Sequence, residues 1–380
     1  MRRKLSPLPK LTIKPDQPLL FPVFNKQGAL LAEKGTFLSD EQIKKILSLD
    51  EIFTDERALL SALIGDSKKD KQDGGAFQLP PPFKRLTALE TILHEILDNP
   101  EDSINQSKVL TIINRLQTIC QKSPDAAIAK IITDDNSDYA VKHPIHTAIL
   151  CELSGLHLKW SLEKRRNVIG AALTMNISLG YLQNELLSQS KPLSTKQQKI
   201  INSHPSDSAT ILKKMGVSNK IWLETVNKHH ENIDGTGYPS NLTQKDIPLA
   251  ASLVSLSDVY CAKVSGRNYR EPIFANVAVR DIYLEKDHSH EGTLIEVFVK
   301  LLGIYPPGCI VKLQSDEIGI VTRRGRAVDA PEVLVLNDKK NNALKMKVKR
   351  NTGHKNFSIK SIIPPRDNWI NIDYDDIWSS

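Results

Sequence analysis

Residues 229–239 read HHENIDGTGYP, and no other stretch limits the chain's local structure so tightly. His229 and His230 are adjacent. Asp234, Gly235, Gly237, Tyr238 and Pro239 come within nine residues of His230. Neutral imidazole is the commonest protein ligand for transition metals. Adjacent imidazoles can turn toward one ion only where the backbone is free to bend, and the glycines supply that freedom. The plainer reading is a helix end with two surface histidines and a turn. Neighbouring segments decide between the two.

Those segments are mostly helical in pattern. LTALETILHEIL and SKVLTIINRLQTIC place apolar residues at spacings of three and four. DAAIAKII, EKRRNVIGAALTMNI, STKQQKIINSH, DSATILKKM, IWLETVNKHH and IPLAASLVSLSDVYCAKV extend the series. Ser39 with Gln42, and Ser194 with Gln197, have the spacing of capping boxes. Pro205 is expected to end or kink its helix just after His204. Before the helices, LLFPVFNKQGALLAEKGTFLS reads as two short strands around a turn at Lys26-Gln27-Gly28. After them, IVKLQSDEIGIVTRRG and EVLVLN alternate as strands do. The expected organisation is a small α/β domain over 1–62, a polar, proline-ending linker over 63–82, a helical domain over 83–302, a β-rich appendage over 303–366 and an acidic tail over 367–380.

The composition of the 380 residues is that of a water-soluble protein, 40% hydrophobic and 25% charged. A net charge of +7 is mild over this length and suits a polyanionic ligand without arguing for nucleic acid. Aromatic residues are only 6% of the chain and no basic stripe interleaves them, so nucleic-acid binding is the weakest reading. Cys120, Cys151, Cys261 and Cys309 form no CxxC pair, which argues against a zinc ribbon and for a reducing compartment. No run approaches the roughly 18–20 apolar residues of a membrane span, and the basic start lacks a signal peptide's apolar core. The expected location is the cytoplasm.

Other candidate ligands stand at helical positions: His143 in YAVKHPIHTAIL, His204 in NSHPSDSATIL and Asp258 in ASLVSLSDVYCAKV. Taken with HHENIDGTGYP, the segment from about Tyr139 to Pro272 resembles the HD-GYP family of metal-dependent cyclic di-GMP phosphodiesterases. The resemblance implies a mainly α fold, an HD-superfamily helical bundle holding a metal pair, here flanked by the small mixed N-terminal domain and the β appendage. Carried over by position, His143 and Asp258 fall at one ion, and His204, His229 and His230 at the other. Arg267 and Arg270 match basic residues that contact a ligand phosphate. The GYP loop is linked in the family to contacts with GGDEF cyclase domains.

The chain departs from the family where a His-Asp pair is expected. The family reads roughly AALLHDIGK; this chain reads AALTMNISL over 171–179. Met175 replaces the histidine, Asn176 the bridging aspartate and Leu179 a lysine. Ser208 stands where the family has glycine, and Cys261 where it has an acid. Neutral Asn176 cannot offset two cations, and Met175 is too soft for such ions and is expected to pack in the core. The resemblance then implies one divalent transition ion (iron, manganese or zinc) on the three histidines, or none. The expected protein is a degenerate signalling member that binds cyclic di-GMP or a GGDEF-domain partner. The alternatives are a surviving single-metal phosphodiesterase and a pure scaffold. Oligomeric state is not legible.

Overall fold

The computed structural model describes residues 5–7, 19, 22–33, 36, 38–49, 52–55, 79–102, 105–134, 137–265, 273–284, 291–364 and 372–378. Its contacts divide into two units, Met1–Leu79 and Pro80–Ser380.

In the first unit, β1 (Leu5–Pro7), β2 (Val23–Phe24), β3 (Leu30–Ala32) and β4 (Phe53–Asp55) form an antiparallel sheet in the order β1-β4-β2-β3. The expected hairpin is β2–β3. Gly28 takes the left-handed conformation its turn needs, at φ 82°, and the Asn25 side chain accepts from the amides of Gln27 and Ala29. Helix α1 (Asp40–Leu47) begins in a capping box between Ser39 and Gln42. It packs Ile43 and Ile46 with Val23 and Ile52.

The second unit is a helical bundle with an attached sheet. Its helices are α2 (Pro82–Asp98), α3 (Asn105–Lys122), α4 (Pro124–Thr133), α5 (Tyr139–His157), α6 (Leu162–Thr174), α7 (Leu182–Ser188), α8 (Thr195–Lys214), α9 (Lys220–Lys228), α10 (Leu249–Val264), α11 (Ala275–Leu284) and α12 (Gly292–Leu302). Helices α5 and α10 bury residues on nearly every face, as central helices do. They share one continuous core with Leu86, Ile113, Leu116, Val168, Leu253 and Phe298. Strands β5 (Ile310–Leu313), β6 (Ile318–Arg323), β7 (Glu332–Asn337), β8 (Ala343–Asn351) and β9 (Ile359–Ile362) come next, in the order β8-β7-β6-β5-β9. Arg324 joins sheet to bundle through Asp125 Oδ1 at 2.5 Å and Leu301 O at 3.0 Å. The acidic C-terminal residues include a short helix, α13 (Tyr374–Trp378), whose Tyr374 and Trp378 rings stack on Phe83 of α2. Among the described residues no helix is long and apolar enough to cross a membrane.

Two local arrangements set the helices that carry the candidate ligands. The first is a buried charge cluster beside α5. Lys130 lies 3.1 Å from Glu90 and 3.0 Å from Asp134. Asp134 also accepts from His146 at 3.1 Å and lies 3.5 Å from Lys142. Burial alone would raise the Asp134 carboxyl, but the His146 hydrogen bond and the adjacent lysines outweigh it and hold it at about 2. The second is the contact of α6 with α9. Gly170 lies against the Trp222 indole, whose Nε1 donates to Thr174 Oγ1 at 2.9 Å.

Each arrangement carries an expected outcome. A Cβ on Gly170 would lie 2.7 Å from the rigid indole. Gly170→Ala should destabilise the protein by about 1–3 kcal/mol in urea unfolding, because a ring cannot yield as a flexible chain end does. The Asp134 contribution is fully present above the ordinary carboxyl value of 3.8 and is lost as pH falls toward about 2. Stability titrated over that window should fall by roughly 2 kcal/mol from this group, and Asp134→Asn should remove that part of the slope.

Candidate functional site

His204 sits inside α8, which runs on through Pro205 to Lys214. Of the expected stop or kink after His204, the stop is therefore corrected: the helix continues. The reason is local. Proline has no N–H, so the Ile201 carbonyl four residues back loses its helical donor. His204 Nδ1 supplies the replacement, donating to Ile201 O at 2.6 Å. His229 does the same at the end of α9, where the last carbonyls lack intrahelical partners. Its Nδ1 donates to Val226 O at 2.6 Å.

Both bonds place the ring proton on Nδ1 and leave Nε2 as a lone pair. Metal-bound histidines are commonly held in this way, with the far nitrogen donating to a carbonyl. The two Nε2 atoms lie 3.2 Å apart. Two nitrogens about 2.0–2.1 Å from one ion at a tetrahedral angle would be roughly 3.3 Å apart. His230 completes the group, and the ligand atoms of His204, His229 and His230 lie within 4.8 Å of one another. Burial lowers all three imidazoles, His204 to about 3, so each is neutral near neutral pH. The donor set fits one transition ion.

The GYP loop shapes this cluster. Tyr238 stacks on His230, with ring centres 4.7 Å apart and planes at 24°. The loop is held by buried Glu231, whose two oxygens accept from the amides of Ser240 at 2.6 Å and Leu242 at 2.9 Å. Gly235 has φ 80°. Gly237 touches the backbone of residues 230–232 so closely that a Cβ would lie 2.5 Å from His230 O. Asp234 is exposed and caps the turn by accepting from Thr236 N at 3.0 Å. Pro239 is joined to Tyr238 by a cis peptide bond. Sequence reading misses the role of Glu231, although a carboxylate just before a Gly-rich loop is a legible sign of a backbone anchor.

The other half of the site is different. His143 Nε2 and Asp258 Oδ1 bond directly at 2.5 Å. Burial would raise Asp258, but the bond to His143 and the field of that ring outweigh it, and the acid lies well below the ordinary carboxylate range. Met175 is fully buried in the main core. Asn176 is 9% exposed, and its amide donates to Gln183 Oε1 at 3.0 Å. Ser178 and Ser208 hydrogen-bond to each other at 2.9 Å, and the Ser178 hydroxyl also donates to His204 O at 3.0 Å. These two serines hold the Asn176 turn against α8. Among the described residues one group of three candidate ligands is assembled, His204, His229 and His230, while His143 and Asp258 bond each other and Met175 lies in the core.

Both halves open on one cavity of about 510 Å³. Its wall includes His143, Asn176, His204, His230, Tyr238 and Asp258. Leu179, Leu186, Leu187 and Leu193 add an apolar side, and Lys191 a cation. Arg267 and Arg270 lie outside the described residues.

Residues 126–294 match the HD domain family model. A cyclic di-GMP phosphodiesterase of Pseudomonas aeruginosa is 26% identical over 234 residues, 61% of this chain and 56% of that protein. The cyclic di-GMP phosphodiesterase PdeB of Borreliella burgdorferi is 23% identical over 48% of each chain. The 3'3'-cGAMP-specific phosphodiesterase 1 of Vibrio cholerae is 26% identical over 38% of this chain and 33% of its own. The chain thus spans about half the length of the first two relatives. Among solved structures, an HDG"Y"P protein from Bdellovibrio bacteriovorus superposes at TM-score 0.47 with 16% identity, over 79% of this chain and 99% of its own. Residues 126–294 of the chain thus match an HD domain, and the HHENIDGTGYP loop lies inside that match.

Proposed function

We propose that this protein is a cyclic di-GMP signalling protein that takes the dinucleotide into the cavity and hydrolyses it little or not at all. The observation that carries this reading is the uneven state of the site. His204, His229 and His230 form a coherent donor set. Opposite them, Met175 packs in the core and His143 bonds Asp258 directly. The ligand class rests on relatives named for cyclic di-GMP.

Hydrolysis of a phosphodiester needs an activated water and neutralisation of charge building on the phosphoryl oxygens. A metal pair supplies both in such sites. His204, His229 and His230 would hold one ion, which when bound supplies a Lewis acid. The chain's other groups bind and orient. Tyr238 fixes the His230 ring by stacking, and the leucine side of the cavity offers apolar surface for a base. Losing one electrostatic stabiliser of this kind typically costs about 10²–10³ in rate. The GYP loop is also the candidate contact for a GGDEF-domain partner. Such a partner would meet exposed Asp234 and Thr236, since Tyr238 is turned onto His230.

The test is a hydrolysis assay with manganese, iron and zinc, run beside calorimetric titration with cyclic di-GMP. Binding is expected, with turnover at least about 100-fold below that of a family member with an intact His-Asp pair. Robust formation of the linear dinucleotide or of GMP would overturn the reading.

A further inference from the structure

An anion taken into the cavity needs a positive partner there. Among the described residues, the cavity is lined, besides its histidines, by two charged side chains, Asp258 and Lys191. Asp258 is committed to His143 and has the wrong sign for a phosphate. Lys191 lines the cavity and is exposed, which places it where the cavity opens to solvent. No carboxylate pairs with it among the described residues.

The backbone that carries Lys191 is held at both ends. Gln189, just after α7, donates from Nε2 to Lys191 O at 2.8 Å and to Pro192 O at 3.2 Å. A carbonyl can only accept, so the Gln189 amide has one orientation, with Oε1 turned the other way. That oxygen accepts from Gln197 Nε2 at 2.8 Å. Gln197 Oε1 in turn accepts from Ser194 N at 2.9 Å, within the capping box that starts α8. Pro192 fixes its own φ. These bonds use backbone groups and glutamine amides, and the Lys191 ammonium takes part in none of them. The loop from Gln189 to Leu193 lines the cavity residue by residue.

We infer that Lys191 is a phosphate-pairing residue at the rim of the cavity, on a loop whose backbone Gln189 positions. This rests on the reading that a cyclic dinucleotide enters the cavity. An ammonium on a flexible stem is a compact point charge, which suits a phosphodiester oxygen approaching from solvent. Leu193 of the same loop stands on the cavity's apolar side with Leu186 and Leu187. One loop thus offers a cation to the phosphate and apolar surface to the base. Because the loop is already ordered, little conformational freedom is lost when the ligand binds. A rim cation of this kind acts through steering as well as contact, so its effect weakens as salt rises.

The probe is cyclic di-GMP, titrated calorimetrically into the full chain between about 50 and 500 mM salt. At low salt Lys191→Gln should weaken binding by about fivefold and flatten its salt dependence. Lys191→Arg, which keeps the charge, should retain most of the affinity and the wild-type salt dependence. Gln189→Ala releases the loop and leaves the charge in place, so it should give a smaller loss with the salt dependence kept. Lys191 is exposed, and circular dichroism should show the fold unchanged in its variants. Wild-type affinity and salt dependence in Lys191→Gln would overturn the assignment while leaving the ligand reading standing. A wild-type chain that binds no cyclic di-GMP overturns the ligand reading, and this assignment with it.

Discussion

The site depends on two hydrogen bonds from imidazole to backbone. Each begins as a defect in a helix. Pro205 deprives the Ile201 carbonyl of its donor, and the end of α9 deprives Val226 of one. His204 and His229 repair these defects with Nδ1–H. The repair decides the tautomer of both rings, and the tautomer decides that both Nε2 lone pairs converge. Burial then keeps the rings neutral. Helix stability and ligand geometry are here one constraint.

In the opposite half the side chains bond to one another, while His143 Nδ1 and Asn176 Oδ1 are buried without hydrogen-bond partners. Met175 is fully buried in the main core. His143 and Asp258 are joined by one short bond. Ser178 and Ser208 form a hydrogen bond across the gap between the Asn176 turn and α8. The changes at 175–179 and 208 thus form a connected local structure.

Much of this is legible in the sequence. The hairpin turn at Gly28 and the capping boxes at Ser39 and Ser194 arise from local chemistry, and the structure has all three. Pro205 is not legible in the same way, because its cost depends on whether a nearby side chain can replace the lost donor, and that is a matter of three-dimensional position. Glu231 escapes sequence reading because its partners, Ser240 and Leu242, lie beyond the loop.

The sequence by itself determined the residue types and the resemblance they carry: paired histidines, a Gly-Tyr-Pro loop, and Met175-Asn176 where a His-Asp pair is expected. These are matters of composition and spacing, which need no coordinates. Only the tertiary structure decided which nitrogen of each histidine is free, that Tyr238 turns inward onto His230, and that Asn176 faces the cavity while Met175 does not. Ring tautomer, stacking and amide orientation depend on groups far apart in the chain, and folding is what brings those groups within hydrogen-bonding distance.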